Sequence, residues 1–111
     1  MSGRRLVFIS GQVAWDKSGG LVGEHSFREQ FVQVYENLAT AISSRGGTMS
    51  DIVSLRTYLT DPNDLPEFHR LREDLYPTIF PRLQYPTNTL LIISRLAEAE
   101  LRLEVEAVGV I

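Results

Sequence analysis

Two segments of this chain alternate apolar and polar side chains with a period of two residues, which strongly constrains the fold. The apolar set of the first segment, residues 52–60, is Val53, Leu55, Thr57 and Leu59. The apolar set of the second segment, residues 101–107, is Leu101, Leu103, Val105 and Ala107. Successive side chains of a strand point to opposite faces of its sheet. Both segments are therefore predicted to be strands with one buried face and one polar face.

Two amphipathic helices are predicted between the strands. The first begins after Ser26, whose hydroxyl can accept a hydrogen bond from the Glu29 amide, and it ends at Gly46-Gly47. Its apolar residues recur with helical spacing: Phe31, Val34, Tyr35, Leu38 and Ile42. The second helix has Asp64 as its predicted N-cap. Pro77 is predicted to end it, because proline cannot donate the helical hydrogen bond.

Two further strands, residues 6–14 and 88–96, complete the order β-α-β-α-β-β. The apolar run 90–93 predicts burial on both faces of its strand. Residues 97–100 form a short connection, so the last two strands are predicted to be antiparallel neighbours. The helical crossovers allow parallel pairing and should be right-handed, which places both helices on one face. The prediction is a single α/β (α+β) domain over residues 1–111.

The exposed face of such a sheet predicts an oligomer. Two helices can cover only one face of the sheet, so the other face must meet solvent or another subunit. The apolar run 90–93 favours a subunit, because a large exposed apolar surface usually marks an interface.

Composition excludes several classes of function. Hydrophobic residues make up 43% of the chain, as in globular domains. No apolar run reaches the roughly 18 residues that a membrane span needs, and Gly11-Gln12 interrupts the N-terminal segment too early for a signal peptide. The absence of cysteine excludes disulfides and thiolate chemistry. The net charge of −3 argues against non-specific nucleic-acid binding. We therefore expect a cytoplasmic protein without membrane or nucleic-acid partners.

A few polar residues are candidates for a site. Glu104 could act as a general base or hold a water, but it could also be a solvated or intersubunit carboxylate paired with Arg102. Asn88 could orient a ligand or simply bond its own backbone after a proline turn. Ser10 has no base nearby in sequence, so a nucleophilic role is not favoured.

One helical pair of residues has the spacing of metal ligands. His69 and Glu73 are four residues apart and share a helix face. No third or fourth ligand accompanies them, so a solvated helix face is the preferred interpretation and no metal site is predicted.

Six segments, by their order and spacing, resemble the RidA (YjgF) family over nearly the whole chain. They are Phe8-Ile9-Ser10-Gly11-Gln12, the helix ending in Gly46-Gly47, Asp51-Ile52-Val53, Asp61-Pro62-Asn63-Asp64-Leu65, Tyr85-Pro86-Thr87-Asn88-Thr89 and Leu103-Glu104-Val105-Glu106-Ala107. The resemblance implies a chorismate-mutase-like fold and a homotrimer whose three sheets form a central barrel with ligand clefts between subunits. For the founding branch it also implies hydrolysis of enamines and imines to keto acids and ammonia.

The resemblance also implies residue roles. The Ser10 hydroxyl and the Gly11 amide face a ligand carboxylate, Tyr58 walls the cleft, and Glu104 is the catalytic residue that positions a water. Asn88 stands where the deaminating branch has an arginine that clamps the carboxylate, so the chain resembles an arginine-lacking branch. Losing such a charge-assisted pair costs roughly 1.5–3 kcal/mol. The family's preceding N-terminal strand is expected to be absent.

The predicted ligand is a small imine or enamine, carbonyl or carboxylate metabolite in an intersubunit cleft. If the chain is an enzyme, the expected reaction is hydrolytic deamination to a keto acid and ammonia. No cofactor is expected, because an imine is already electrophilic. A non-catalytic metabolite-binding or interaction trimer is the alternative from a different class, and an endoribonuclease is a minor alternative.

Overall fold

The computed structural model describes residues 3–111, so the first two residues of the predicted domain lie outside the described residues. It contains one four-stranded sheet and two α-helices. In chain order the elements are β1 (Leu6–Gln12), α1 (Phe27–Ser43), β2 (Ile52–Leu59), α2 (Leu65–Ile79), β3 (Thr87–Ile92) and β4 (Leu103–Val110). The predicted architecture of one sheet and two helices is confirmed.

The strand order across the sheet is β1-β4-β2-β3. β4 is antiparallel to both β1 and β2, whereas β2 and β3 are parallel. The prediction that the last two strands are neighbours is therefore wrong. The connection after β3, residues 93–102, is long enough to carry the chain past β2 to the centre of the sheet. There β4 buries its alternating apolar face completely, and Leu103 and Val105 have no exposed surface.

Both helices pack on the face of the sheet that carries these apolar residues. Phe31 of α1 and Phe68 of α2 are fully buried, and their ring centroids lie 5.8 Å apart. Tyr35 and Tyr76 form a second contact between the helices, and their hydroxyl oxygens lie 2.6 Å apart. Burying one such aromatic side chain contributes about 1.5–3 kcal/mol, so the aromatic layer is a main source of stability.

The opposite face of the sheet, which we call the outer face, carries exposed apolar side chains. Phe8 of β1 is 74% exposed. The predicted burial of residues 90–93 on both faces is wrong for one protomer, because β3 is the edge strand and Leu91 and Ile92 are each 44% exposed. A register shift between Ile52 and Ser54 explains a further difference, since it buries Ile52 rather than the predicted Val53.

The ends of the elements are close to those predicted. The Ser26 hydroxyl accepts the amide of Glu29 at 3.1 Å, as expected for an N-cap. Pro77 lies inside α2 rather than at its end. A proline in the last turn removes only one helical hydrogen bond. The third strand ends at Ile92 instead of Leu96. Within residues 3–111, no helix combines the length and apolar character needed to cross a membrane.

Candidate functional site

A β-bulge shapes one edge of the outer face. The register of β1 against β4 shifts between Ile9 and Gln12, so that Ser10 and Gly11 together oppose Glu106. A bulge of this kind bends its strand and redirects the local side chains. It brings the predicted Ser10-Gly11 segment beside the carboxylates of β4.

Glu104 packs directly over the backbone of Gly11. A β-carbon added at Gly11 would overlap the Glu104 carboxylate and would lie 2.8 Å from its Cγ. Glycine therefore allows the Glu104 side chain to lie against the strand, and a larger residue would displace that carboxylate. The sequence suggested Gly11 only through its backbone amide. Burial, and secondarily the negative charge of Glu106, raises the pKa of Glu104 above its ordinary value.

Glu106 is held by two side chains from β2. Tyr58 donates a hydrogen bond from its hydroxyl to Glu106 Oε1 at 2.5 Å, and Arg56 Nη1 lies 3.4 Å from the same oxygen. The hydrogen bond to this carboxylate raises the pKa of Tyr58, because it favours the protonated hydroxyl. Tyr58 is also the direct cross-strand neighbour of Glu104. The structure thus brings Ser10, Gly11, Tyr58 and Glu104 onto one face.

Asn88 lies on the other face. It pairs in register with the buried Leu55, and its side-chain oxygen accepts a hydrogen bond from the Thr57 hydroxyl at 2.8 Å. Neither of the two sequence-based interpretations of Asn88 anticipated this partner. Within one protomer, Asn88 and Glu104 therefore cannot contact the same small ligand from the same face.

Arg102 does not pair with Glu104. The alternative interpretation of Glu104, as a carboxylate in an ion pair with Arg102, is therefore wrong within one protomer. The Arg102 guanidinium turns to the end of the sheet and binds both carboxylate oxygens of Asp64, with Nε 3.1 Å from Oδ2. This ion pair also explains why the Asp64 side chain, predicted as an N-cap, makes no capping hydrogen bond.

Two cavities adjoin the polar residues. The first, of about 420 Å³, lies on the outer face and includes Ser10, Arg56, Thr89 and Glu106 in its lining. Arg56 and Thr89 were not predicted from the sequence as lining residues. The alternation of polar and apolar residues in β2 did, however, place Arg56 on the same polar face as Tyr58.

The second cavity, of about 720 Å³, lies between the end of β1 and α1. Gly11 lines it together with Trp15. The amide nitrogen of Asn37 fixes this segment by donating to the carbonyls of Val13 and Trp15 at 2.9 and 2.8 Å. Gly11 therefore borders both the Glu104 carboxylate and a groove large enough for a small organic molecule.

No metal centre is present in the described part of the chain. Among residues 3–111, no group of three or more His, Asp or Glu side chains is arranged to hold a metal ion. His69 and Glu73 are exposed on α2.

A sheet of this order with two helices on one face is a chorismate-mutase-like α+β fold, as found in Rid proteins. The family described as endoribonuclease L-PSP matches residues 1–111, and the chain belongs to this family. The predicted resemblance to RidA is thereby confirmed.

Three known proteins illustrate the similarity. A RutC family protein of Pyrococcus abyssi is 26% identical over 104 residues, which cover 94% of this chain and 77% of that protein. Human 2-iminobutanoate/2-iminopropanoate deaminase is 26% identical over 107 residues, covering 96% and 73%. The solved structure of the Rid family protein YyfB from Yersinia pestis is 32% identical, with a TM-score of 0.83 and coverage of 95% and 77%.

Proposed function

We propose that the chain hydrolyses a small imine, with Glu104 as the general base. The observation that carries the proposal is the placement of a half-buried carboxylate directly over Gly11 and beside Glu106. Burial, and secondarily the charge of Glu106, holds the pKa of Glu104 above its ordinary value. A raised pKa makes a carboxylate a stronger base. The similarity to the human protein named as an imine deaminase supports the same chemistry.

The proposed reaction needs only water. Glu104 removes a proton from a water whose oxygen attacks the imine carbon and passes this proton to the nitrogen, which gives a carbinolamine. Glu104 then takes the hydroxyl proton of the carbinolamine and transfers it to the nitrogen, so that ammonia leaves and the carbon–oxygen double bond forms. Imine and water thus give a carbonyl compound and ammonia. In this reaction Ser10 and the Gly11 amide would hold a polar group of the substrate, and Tyr58 would wall the site.

We further propose a homotrimer with its ligand cleft between subunits. Asn88 and Glu104 occupy opposite faces of one sheet, so a cleft that uses both would take them from different subunits. The exposed apolar side chains of the outer face, Phe8 and Leu91 among them, would be covered in such an assembly.

The assembly is tested by sedimentation. We expect a trimer at micromolar concentration, because burial of the outer face removes large apolar side chains from water. Phe8→Asp, which places a charge on this face, should shift the protein towards the monomer, whereas Glu73→Lys on the exposed face of α2 should not. A wild-type monomer would remove the intersubunit cleft.

Hydrolysis is tested on imines made in situ. An amino-acid oxidase and a flavin-dependent amine oxidase each release an imine, and semicarbazide reacts faster with the imine than with the carbonyl product of its hydrolysis. If the chain is a hydrolase, adding it should lower the initial rate of semicarbazone formation from at least one imine without changing peroxide formation. Unchanged initial rates with a correctly folded protein would reject the proposed reaction.

The pH dependence of this reaction follows from the pKa of Glu104. Because that pKa is raised in the folded protein, the base form appears only above it, and kcat/KM should rise with pH through a value above the ordinary glutamate pKa of about 4.3. The same shift stabilises the protonated fold, so this stability is lost as pH rises through the raised pKa. Glu106→Gln should lower the pH at which kcat/KM rises, because it removes the neighbouring negative charge. The pKa of Glu104 should nevertheless stay above its ordinary value, since burial remains. An unchanged pH profile would contradict the charge effect.

Binding without catalysis is the second candidate function. Asn88 provides an amide rather than a charged clamp, and its oxygen is already bonded to Thr57. Imine binding without any loss of semicarbazone would favour this candidate. Ribonuclease activity is not proposed, although the family description names an endoribonuclease, because Glu104 and Glu106 would repel a phosphate backbone.

A further inference from the structure

We propose that the substrate of this site is an imine without a carboxylate, bound as the iminium cation. The proposal rests on the proposed hydrolysis and defines the substrate class for the same site. In balanced form, an iminium cation and one water give a carbonyl compound and one ammonium ion. The charges around the reacting position, and the hydrogen bonds that these charged groups already make, favour this substrate class.

The charged groups at the centre of the outer face leave a negative balance. Glu104 and Glu106 each carry a carboxylate on the same face of β4. The cation beside Glu106 is Arg56, whose Nη1 lies 3.4 Å from Glu106 Oε1. Arg102, which the sequence places on the same face, binds Asp64 at the end of the sheet instead. Within one protomer, two carboxylates and one guanidinium therefore give this part of the outer face one net negative charge.

This balance favours a cationic ligand over an anionic one. Burial and Glu106 both disfavour the charged form of Glu104, so a positive charge beside it would relieve a repulsion that is built into the site. A ligand carboxylate near the same two groups would add a third negative charge in a partly desolvated place. Such a contact is unfavourable unless an unoccupied cation meets it.

The remaining polar candidates do not supply that cation. Asn88 is neutral, and because its oxygen accepts the Thr57 hydroxyl, its free group is an amide nitrogen that donates hydrogen bonds. Ser10 and the Gly11 backbone are neutral as well. These groups suit a carbonyl or hydroxyl on the substrate but do not offset the full charge of a carboxylate.

The test compares two imines that share a side chain. Phenylalanine and an L-amino-acid oxidase give the imine of phenylpyruvate, and phenethylamine and an amine oxidase give the imine of phenylacetaldehyde. For each imine, the rate of hydrolysis in the presence of this protein is divided by the rate of hydrolysis in buffer alone. We expect the ratio to be larger by about tenfold or more for the imine that lacks the carboxylate, because like charges at close range in a partly buried site cost at least that factor.

Two charge-removing variants make the comparison specific. Glu106→Gln removes one carboxylate from the outer face and should reduce the preference for the carboxylate-free imine. Asp74→Asn makes the same change on the exposed surface of α2 and should leave the preference unchanged. An equal effect of both variants, or none from Glu106→Gln, would overturn the proposal, because the local charge would then not set the selectivity.

The outcomes separate this inference from the proposed function. Faster hydrolysis of the phenylpyruvate imine would overturn the inference and leave the hydrolase proposal standing. Acceleration of neither imine would overturn both. A preference for the phenylacetaldehyde imine that shrinks in Glu106→Gln would support the substrate class.

Discussion

Replacing Glu104 with glutamine is expected to lower imine hydrolysis by roughly 10²–10⁴-fold without unfolding the protein. Glutamine has nearly the same shape as glutamate but cannot accept a proton from water. The fold should not suffer, because burial and Glu106 already disfavour the carboxylate form of Glu104. Initial rates and thermal unfolding of the two proteins provide the measurement. A variant with full activity would show that another group acts as the base.

A second variant tests the position of the same carboxylate while keeping its chemistry. Gly11→Ala adds a methyl group where the Glu104 carboxylate lies, so the carboxylate must move away from the strand. We expect a loss of activity comparable to that of Glu104→Gln. Gly3→Ala is the matched control, because a β-carbon there meets no atom within 4 Å. Normal activity of Gly11→Ala would mean that the close packing has no catalytic role.

Local patterns predicted the secondary structure well because they depend on neighbours in the sequence. The alternation in β4 correctly placed Leu103, Val105 and Ala107 in the core and Glu104 on the other face. The helical spacing of α1 likewise predicted its buried stripe. In each case the period of the pattern alone fixes which side chains share a face.

The strand order and the site depend on pairings that no local pattern contains. The short connection suggested that β4 would return beside β3, but its fully apolar face is better buried between β1 and β2. That central position creates the contact of Glu106 with Tyr58 and the packing of Glu104 over Gly11. The position of Asn88 likewise depends on strand pairing. Its register with Leu55 of β2 places it on the face opposite to Glu104.

Gln30 was also missed, although the sequence held a signal for it. It lies one residue before Phe31 and three after Phe27, within the apolar stripe of α1, and it is completely buried. Its amide nitrogen donates to the carbonyls of Gly23 and Glu100 at 3.0 and 2.9 Å. Its oxygen accepts the Arg102 amide at 2.8 Å. One side chain thus fastens α1 to the loop before it and to the start of β4.

Gln30→Leu is therefore expected to reduce the free energy of unfolding by about 3 kcal/mol or more. Leucine fits a buried helix position but leaves the Glu100 carbonyl and the Arg102 amide without partners, and each costs about 1–3 kcal/mol. The Gly23 carbonyl keeps the Ser26 amide as a donor at 3.0 Å. The Tm should fall by about 10–20 °C. Chemical denaturation of the wild type and the variant, followed by circular dichroism, measures the difference.

The matched control is Gln33→Leu, the same change one turn along α1. Gln33 makes a single side-chain hydrogen bond, to Asn37 at 2.8 Å, and is only partly buried. Its loss should cost less than about 1 kcal/mol, because water can replace that partner. Equal destabilisation by the two variants would show that helix packing, rather than the three hydrogen bonds of Gln30, sets the cost. A larger loss for Gln30 would identify it as the residue that holds β4, and with it Glu104, in position.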